Sequence, residues 1–312
     1  MSRRGDGAAW RQLYPFASRE LLIDGLRCHY VDEGRGLPLL LVHGNPTWSF
    51  YWRSLLDGLS DSYRLVAPDQ IGCGLSEKPS RARYPYTLRR RINDLCRLIE
   101  RLDLRSIALV AHDWGGAVGM GAAVEMPDRF ERFVLMNTAA FPAPHCPWRI
   151  RVCRAPVLGP LAVQGLNLFA RAALVMATAR RAGLPPDVRD GLLAPYDSWA
   201  NRRAIYHFVR DIPLSPRHES YATLARIASR LGQFANHPFC FFWGMRDWCF
   251  TPWFLDQWLA RFPRAEVHRF DDAGHYVLED ASERILPALR MFLQADPPAA
   301  APGPIKPALH EP

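Results

Sequence analysis

Val110-Ala111-His112-Asp113-Trp114-Gly115-Gly116 is the stretch on which the fold turns. An apolar run, Ser106–His112, passes directly into residues with helical character that continue to Glu125 and stop before Pro127. Small residues at 111 and 115 flank position 113. Small neighbours are what a tight strand-to-helix turn requires when it thrusts one side chain outward, here Asp where such turns often carry Ser. The N–H of Trp114 would then lie at a helix N-terminus, where negative charge is stabilised. Asp113 reads either as a nucleophile on this turn or as an ordinary helix cap.

Outward from that turn, strand-like and helix-like runs alternate over residues 19–136. Leu21–Asp24 and Arg27–Asp32 read as paired short strands, and Arg64–Pro68 as another. Leu37–Val42 is continuously apolar, as a strand buried on both faces is. Helices are predicted over Phe50–Leu59 and from a Thr87 cap to Leu102, with Ile92, Leu95, Leu98 and Ile99 at helical spacing. Phe133–Asn137 is one more strand. From 140 to 222 the chain is rich in Pro and Arg, and the alternation lapses. It resumes with strand Phe239–Trp243, helix Pro252–Phe262, strand Glu266–Phe270 and helix Ser282–Leu293. The expected fold class is α/β, a mostly parallel sheet flanked by helices with an inserted helical cap. The expected division is core over 1–139 and 223–295, cap over 140–222, and a disordered Pro/Ala-rich tail over 296–312.

Composition narrows the function classes. The chain has 312 residues, 49% hydrophobic and 22% charged, enough for one large domain and incompatible with wholesale disorder. Its net charge of +8 comes almost wholly from Arg, with Lys only at Lys78 and Lys306. These Arg residues are dispersed and lack an aromatic-basic motif, so no nucleic-acid partner is expected. Seven Cys form no C-x-x-C pair, which points to free thiols in a reducing cytosol. Met1–Trp10 has no apolar signal core, and no apolar run is long enough to cross a bilayer. A cytoplasmic protein without a transmembrane segment is expected. Gly72-Cys73-Gly74-Leu75-Ser76 is not G-x-S-x-G, and neither a P-loop nor a metal-spaced His/Cys set occurs, so neither cofactor nor metal is expected.

Three further motifs bear on Asp113. His43-Gly44-Asn45-Pro46 follows the buried strand and places Asn45 at the carboxyl end of the sheet. Its backbone N–H is a candidate oxyanion donor. Its side-chain amide and the Trp114 indole N–H can both serve one anion. Asp271-Asp272-Ala273-Gly274-His275-Tyr276 sets a His in a Gly-containing loop before the last helix. Trp243-Gly244-Met245-Arg246-Asp247 ends a strand in a turn from which Asp247 can reach His275. The other acid position, after the preceding core strand, holds Asn137, which cannot carry the charge that steadies an imidazolium. His43 and His112 are expected to pack beside these motifs, and His145, His207 and His218 fall in the cap.

With Asp113, Asp247 and His275 in that order, the chain resembles α/β-hydrolases with an Asp nucleophile, and more narrowly haloalkane dehalogenases of the third subgroup. The stretches that carry the resemblance are 43–53 (HGNPTWSFYWR), 68–79 (PDQIGCGLSEKP), 111–120 (AHDWGGAVGM) and 272–281 (DAGHYVLEDA). Cap stretches 166–173, 194–204 and 208–214, with 136–142, look more like the β-lactone decarboxylases of bacterial olefin biosynthesis. That resemblance implies conversion of cis-3,4-dialkyl β-lactones to cis-alkenes and CO2. It also implies a catalytic set Asp113, His275, Asp247, anion donors Asn45 and Trp114, and association with a β-lactone synthetase and a reductase. The alternatives are haloalkane hydrolysis through an alkyl-Asp113 ester, epoxide hydrolysis with Tyr196, Tyr206 or Tyr221 as donors, and an inactive hydrolase fold used for binding or assembly. Leu158, Leu161, Leu166, Leu168, Phe169, Leu174, Val175 and Met176 either pack the cap on the core or wall a slot for a hydrophobic long-chain alkyl substrate.

Overall fold

The computed structural model describes residues 9–144 and 146–295. The expected disordered tail, Lys306, His145 and most of Met1–Trp10 lie outside the described residues. Eight strands form one sheet in the order β1-β2-β4-β3-β5-β6-β7-β8. They are β1 (Arg19–Ile23), β2 (Leu26–Gly34), β3 (Pro38–Val42), β4 (Arg64–Pro68), β5 (Ile107–Asp113), β6 (Phe130–Thr138), β7 (Phe239–Gly244) and β8 (Glu266–Phe270). Strand β2 pairs antiparallel with both β1 and β4, and every other pairing is parallel. Parallel strands need helical crossovers, and the crossovers cover both faces. That is why β3, most of β5 (107–111) and the central part of β6 (133–136) read as apolar runs.

The core helices are α1 (Arg53–Leu59), α2 (Leu88–Arg101) and α3 (Trp114–Glu125). Thr87 caps α2 by accepting from the Arg90 N–H, as expected. Helix α3 is apolar all round and buried along most of its length, the signature of a central helix packed on every side. Between β6 and β7 come α4 (Trp148–Val152), α5 (Leu158–Pro160, running on as a π-turn through Gly165), α6 (Leu168–Met176), α7 (Pro186–Leu193), α8 (Arg203–Asp211) and α9 (Glu219–Arg230). Residue 222, the expected end of the cap, falls inside α9. That helix packs on α2 and α3, because Leu224 and Ile227 belong to the core's apolar cluster.

Helix α10 (Pro252–Arg261) precedes β8, and α11 (Val277–Gln294) closes the described chain. The last helix starts five residues before the position expected at Ser282, and Ala281 interrupts it with φ −138°. Asp280, in its first turn, accepts N–H bonds from Gly274 and Ala179, which ties the early turn to the preceding loop.

Candidate active site

The chain leaves β5 at Asp113 and enters α3 at Trp114 with no intervening loop. Asp113 has φ 53° and ψ −129°. A non-glycine residue in such a region costs roughly 1–3 kcal/mol and persists only where its surroundings enforce it. They do so here. A Cβ on Gly115 would lie 1.9 Å from the Val42 carbonyl oxygen, and one on Gly116 would lie 1.9 Å from Thr138 Oγ1. The helix start is therefore pressed against β3 and β6, and Thr138 Oγ1 donates to the Asp113 carbonyl. The Asp113 side chain makes no capping bond to α3. Its Oδ1 instead accepts the Asn45 N–H at 2.6 Å.

Its other oxygen, Oδ2, faces His275 Nε2 at 3.5 Å, and His275 Nδ1 lies 2.7 Å from Asp247 Oδ2. Three side chains expected to converge from distant turns are thus in line. Asp113, Asn45 and His275 keep 6–8% exposure, while the adjacent His43 and His112 keep none, so the first three border accessible space. Burial pushes the Asp113 carboxyl above the usual carboxylate range, against the pull of His275 and of the Trp114 and Asn45 N–H groups. Burial alone would lower His275, but the Asp247 charge and hydrogen bond, with Asp113, outweigh it and raise the imidazole. His112 is lowered by burial and by the neighbouring His275, which leaves it neutral, with Nε2 on the His275 carbonyl oxygen at 2.8 Å. His43 bonds the Gln70 N–H through Nε2, fastening the 68–76 loop beside the Asn45 turn. His207 stacks on Tyr86 and His218 caps α9.

Asp247 is held by the Cys249 N–H at 2.6 Å and by Asn137 Nδ2 at 3.0 Å. Sequence reasoning weighed position 137 only as an alternative acid and missed this role. Asn137 Oδ1 also accepts the Gly244 N–H at 2.8 Å, so one buried amide ties the end of β6 to the turn carrying Asp247. The signal available was an Asn directly after a buried strand, a place where a polar side chain needs partners.

The candidate anion donors are arranged in two layers. The N–H groups of Asn45 and Trp114 both face the Asp113 carboxylate. The Asn45 Nδ2 donates to the Ile205 carbonyl at 3.3 Å, which fixes the amide orientation and leaves its second hydrogen for a ligand. The Trp114 indole, half-buried beside Phe208, has no hydrogen-bond acceptor among the described residues. Phe250 stacks on the His275 ring at 5.6 Å and gives the site an apolar wall.

Other expectations fare differently. Tyr196 is buried with its hydroxyl donating to the Thr47 carbonyl and accepting from the Gly74 N–H, so it is already engaged. Of the cap residues expected either to pack inward or to line an alkyl slot, only Leu174 is buried and Phe169 is half-buried. Leu158, Leu161, Leu166, Leu168, Val175 and Met176 are 36–69% exposed, because their helices turn these faces away from the core. A groove of about 300 Å³ between residues 74–78 and 194–201 is polar and is not lined by Asp113, Asp247 or His275. One group of possible metal ligands converges among the described residues, Cys240 with Glu266 and His268. It joins β7 to β8, so linear spacing could not reveal it, and His268 and Glu266 already pair at 2.6 Å.

A parallel sheet with an Asp on its strand-to-helix elbow, followed in sequence by an acid and a His, defines the class. The chain belongs to the α/β hydrolase family, whose model matches residues 39–288. Two relatives are named cis-3-alkyl-4-alkyloxetan-2-one decarboxylase. The one from Shewanella oneidensis is 42% identical over 90% of this chain and 89% of its own length, and the one from Xanthomonas campestris 43% over 91% and 98%. Haloalkane dehalogenase 2 of Mycobacterium tuberculosis is 34% identical over 89% of this chain and 95% of its own. A crystal structure of a haloalkane dehalogenase mutant from Agrobacterium tumefaciens superposes with a TM-score of 0.81 at 26% identity, covering 93% of this chain and 98% of that one.

Proposed function

We propose that this chain is a lyase that converts cis-3,4-dialkyl β-lactones into cis-alkenes and CO2, with Asp113 as nucleophile, His275 and Asp247 as its charge partners, and Asn45 and Trp114 as anion donors. One observation carries the reading. Two relatives named for that activity share 42–43% of residues over nine-tenths of the chain, whereas the dehalogenase relative shares 34%. The buried, poorly hydrated carboxylate at the elbow supplies the nucleophile the reaction needs.

The geometry divides the carboxylate's labour. Oδ1 is tied to the Asn45 N–H, which leaves Oδ2 for attack. Oδ2 adds to the ring β carbon, the bond from that carbon to the ring oxygen breaks, and a carboxylate is released on the far side. The side-chain N–H groups of Asn45 and Trp114 receive that charge. The bond between the carboxyl carbon and the α carbon then breaks. Its electron pair forms the alkene, while the bond from Asp113 to the β carbon returns its pair to the carboxylate. Neither proton nor water is consumed. Inversion on attack followed by departure from the opposite face keeps the cis relation of the two alkyl groups. His275, charged and held by Asp247, steadies the Asp113 anion before attack and again as it departs.

Haloalkane hydrolysis is the second reading, favoured by the same donors, which suit a halide equally. The engaged Tyr196 hydroxyl removes one of the three Tyr donors offered for epoxide opening, leaving Tyr206 and Tyr221. The decarboxylase reading places the chain in cytoplasmic long-chain olefin formation, in association with the β-lactone synthetase and the reductase. All seven thiols are free, which suits a reducing compartment. Purified protein offered a long-chain cis-β-lactone and a 1-bromoalkane separates the readings. Alkene without halide supports the lyase, and halide without alkene overturns it.

A further inference from the structure

We propose that the outer face of the α5–α6 segment is a docking surface for an anionic lipid bilayer, on which the protein sits without crossing it. Val157, Leu158, Leu161, Leu166, Leu168 and Val175 are 49–71% exposed. Within the helices they recur at helical spacing, 158 and 161 on one and 168 and 175 on the next, so each helix turns an apolar stripe outward. Single exposed Leu residues are ordinary, but a run of this size in one segment marks an interaction site. The two helices bend by 70° at residues 166–167. No single helix among the described residues is long and apolar enough to span a membrane. Lying in the interface is the geometry that remains for such a pair.

Charge selects the partner. Between Arg132 and Asp187 the chain contains no Asp or Glu. Over the same stretch Arg149, Arg151, Arg171, Arg180 and Arg181 are exposed, and none forms an ion pair among the described residues. Exposed Leu and Val interspersed with Arg that form no ion pair among the described residues, in a stretch that carries no acid of its own, match an anionic headgroup layer. The face also abuts the candidate site. The Met176 and Ala177 carbonyls, where α6 ends, accept from Trp248 Nε1 at 2.9 Å and from the Tyr276 N–H at 2.6 Å, and Tyr276 follows His275. None of these observations depends on the identity of the substrate, so the docking surface and the lactone reading fail separately.

Vesicle flotation tests the proposal with the full chain, using phosphatidylcholine alone and phosphatidylcholine mixed with phosphatidylglycerol. The wild type is expected to float with the anionic vesicles and to be released by high salt. Each Arg near such a surface contributes roughly fivefold to partitioning. Arg151→Gln/Arg171→Gln/Arg181→Gln should therefore weaken binding about a hundredfold, and Leu158→Asp/Leu166→Asp should abolish it. All five positions are exposed, so melting temperatures should match the wild type. Equal flotation with both vesicle types, undiminished binding of either variant, or no flotation at all overturns the proposal. So does a concentration-dependent dimer that Leu158→Asp/Leu166→Asp converts to monomer without any vesicle binding, which would assign the face to a second copy.

Discussion

Gly44→Ala tests the placement of the Asp113 carboxylate without replacing any reacting group. A Cβ at position 44 would lie 2.1 Å from Asp113 Oδ1, 2.4 Å from its Cβ and 2.6 Å from its Cγ. Carbon atoms at rest approach no closer than about 3.5 Å, so the carboxylate must retreat by roughly 1 Å. It cannot do so by relaxing the elbow, which is closed from below by the Gly115 and Gly116 contacts. Retreat costs the 2.6 Å bond from the Asn45 N–H and disturbs the aim of Oδ2. A hydrogen bond to a charged group contributes about 1.5–3 kcal/mol, and a 1 Å misplacement of a reacting group costs about a hundredfold in rate. The expected result is a loss of kcat of roughly 10²–10³-fold, with KM little changed. Overpacking should also cost about 1–3 kcal/mol, a few degrees of melting temperature. Alkene formation by gas chromatography reads the first effect and a thermal melt the second. Gly232→Ala is the control, since nothing lies within 4 Å of its added Cβ. Turnover of Gly44→Ala within about threefold of wild type, with an unchanged melt, would show that the carboxylate is not beneath residue 44.

Asp113→Asn should melt higher than wild type at neutral pH. Burial raises the folded carboxyl above its unfolded value, so the folded state loses stability as pH rises through that window and does not regain it; the Asn variant escapes this loss. Differential scanning calorimetry should find the gain at pH 7 and none below pH 3, where both states are protonated. A variant less stable than wild type at pH 7 would contradict the assignment. The pH profile of kcat/KM should have its acid limb above the usual carboxylate range, from Asp113, and its alkaline limb above the usual imidazole range, from His275. A rate flat from pH 4 to 9 would argue against both groups. Asn137→Ala should cost about 2–4 kcal/mol in urea unfolding, since it strips a partner from buried Gly244 and Asp247. It should also lower kcat about tenfold or more as Asp247 loosens beneath His275, and an unperturbed kcat would deny Asn137 its positioning role.

What the sequence made legible was local. Arg64–Pro68 and Glu266–Phe270 were readable to the residue because each is a short strand-forming stretch bounded by turn residues. Asp113 stood out because a strand, a tight turn and a helix leave their marks within seven consecutive residues. Asp247 and His275 were legible as ends of strands whose order the fold fixes. What was not legible required distance in sequence and proximity in space. Asn137 meets Asp247 across 110 positions, and the Cys240, Glu266 and His268 group forms only when β7 and β8 pair. The direction of the cap's apolar faces was also hidden. A helical stripe such as Leu158–Val175 has the same period whether it faces a core or a solvent, and only the packing of α5 and α6 decides between them.

The most direct measurement is product analysis of the wild type and Asp113→Asn with one cis-3,4-dialkyl β-lactone, following lactone, CO2 and both alkene isomers. The account predicts equimolar CO2 and cis-alkene from the wild type, no trans isomer, and no product from the folded variant. Alkene formed at the wild-type rate without the residue 113 carboxylate would contradict it.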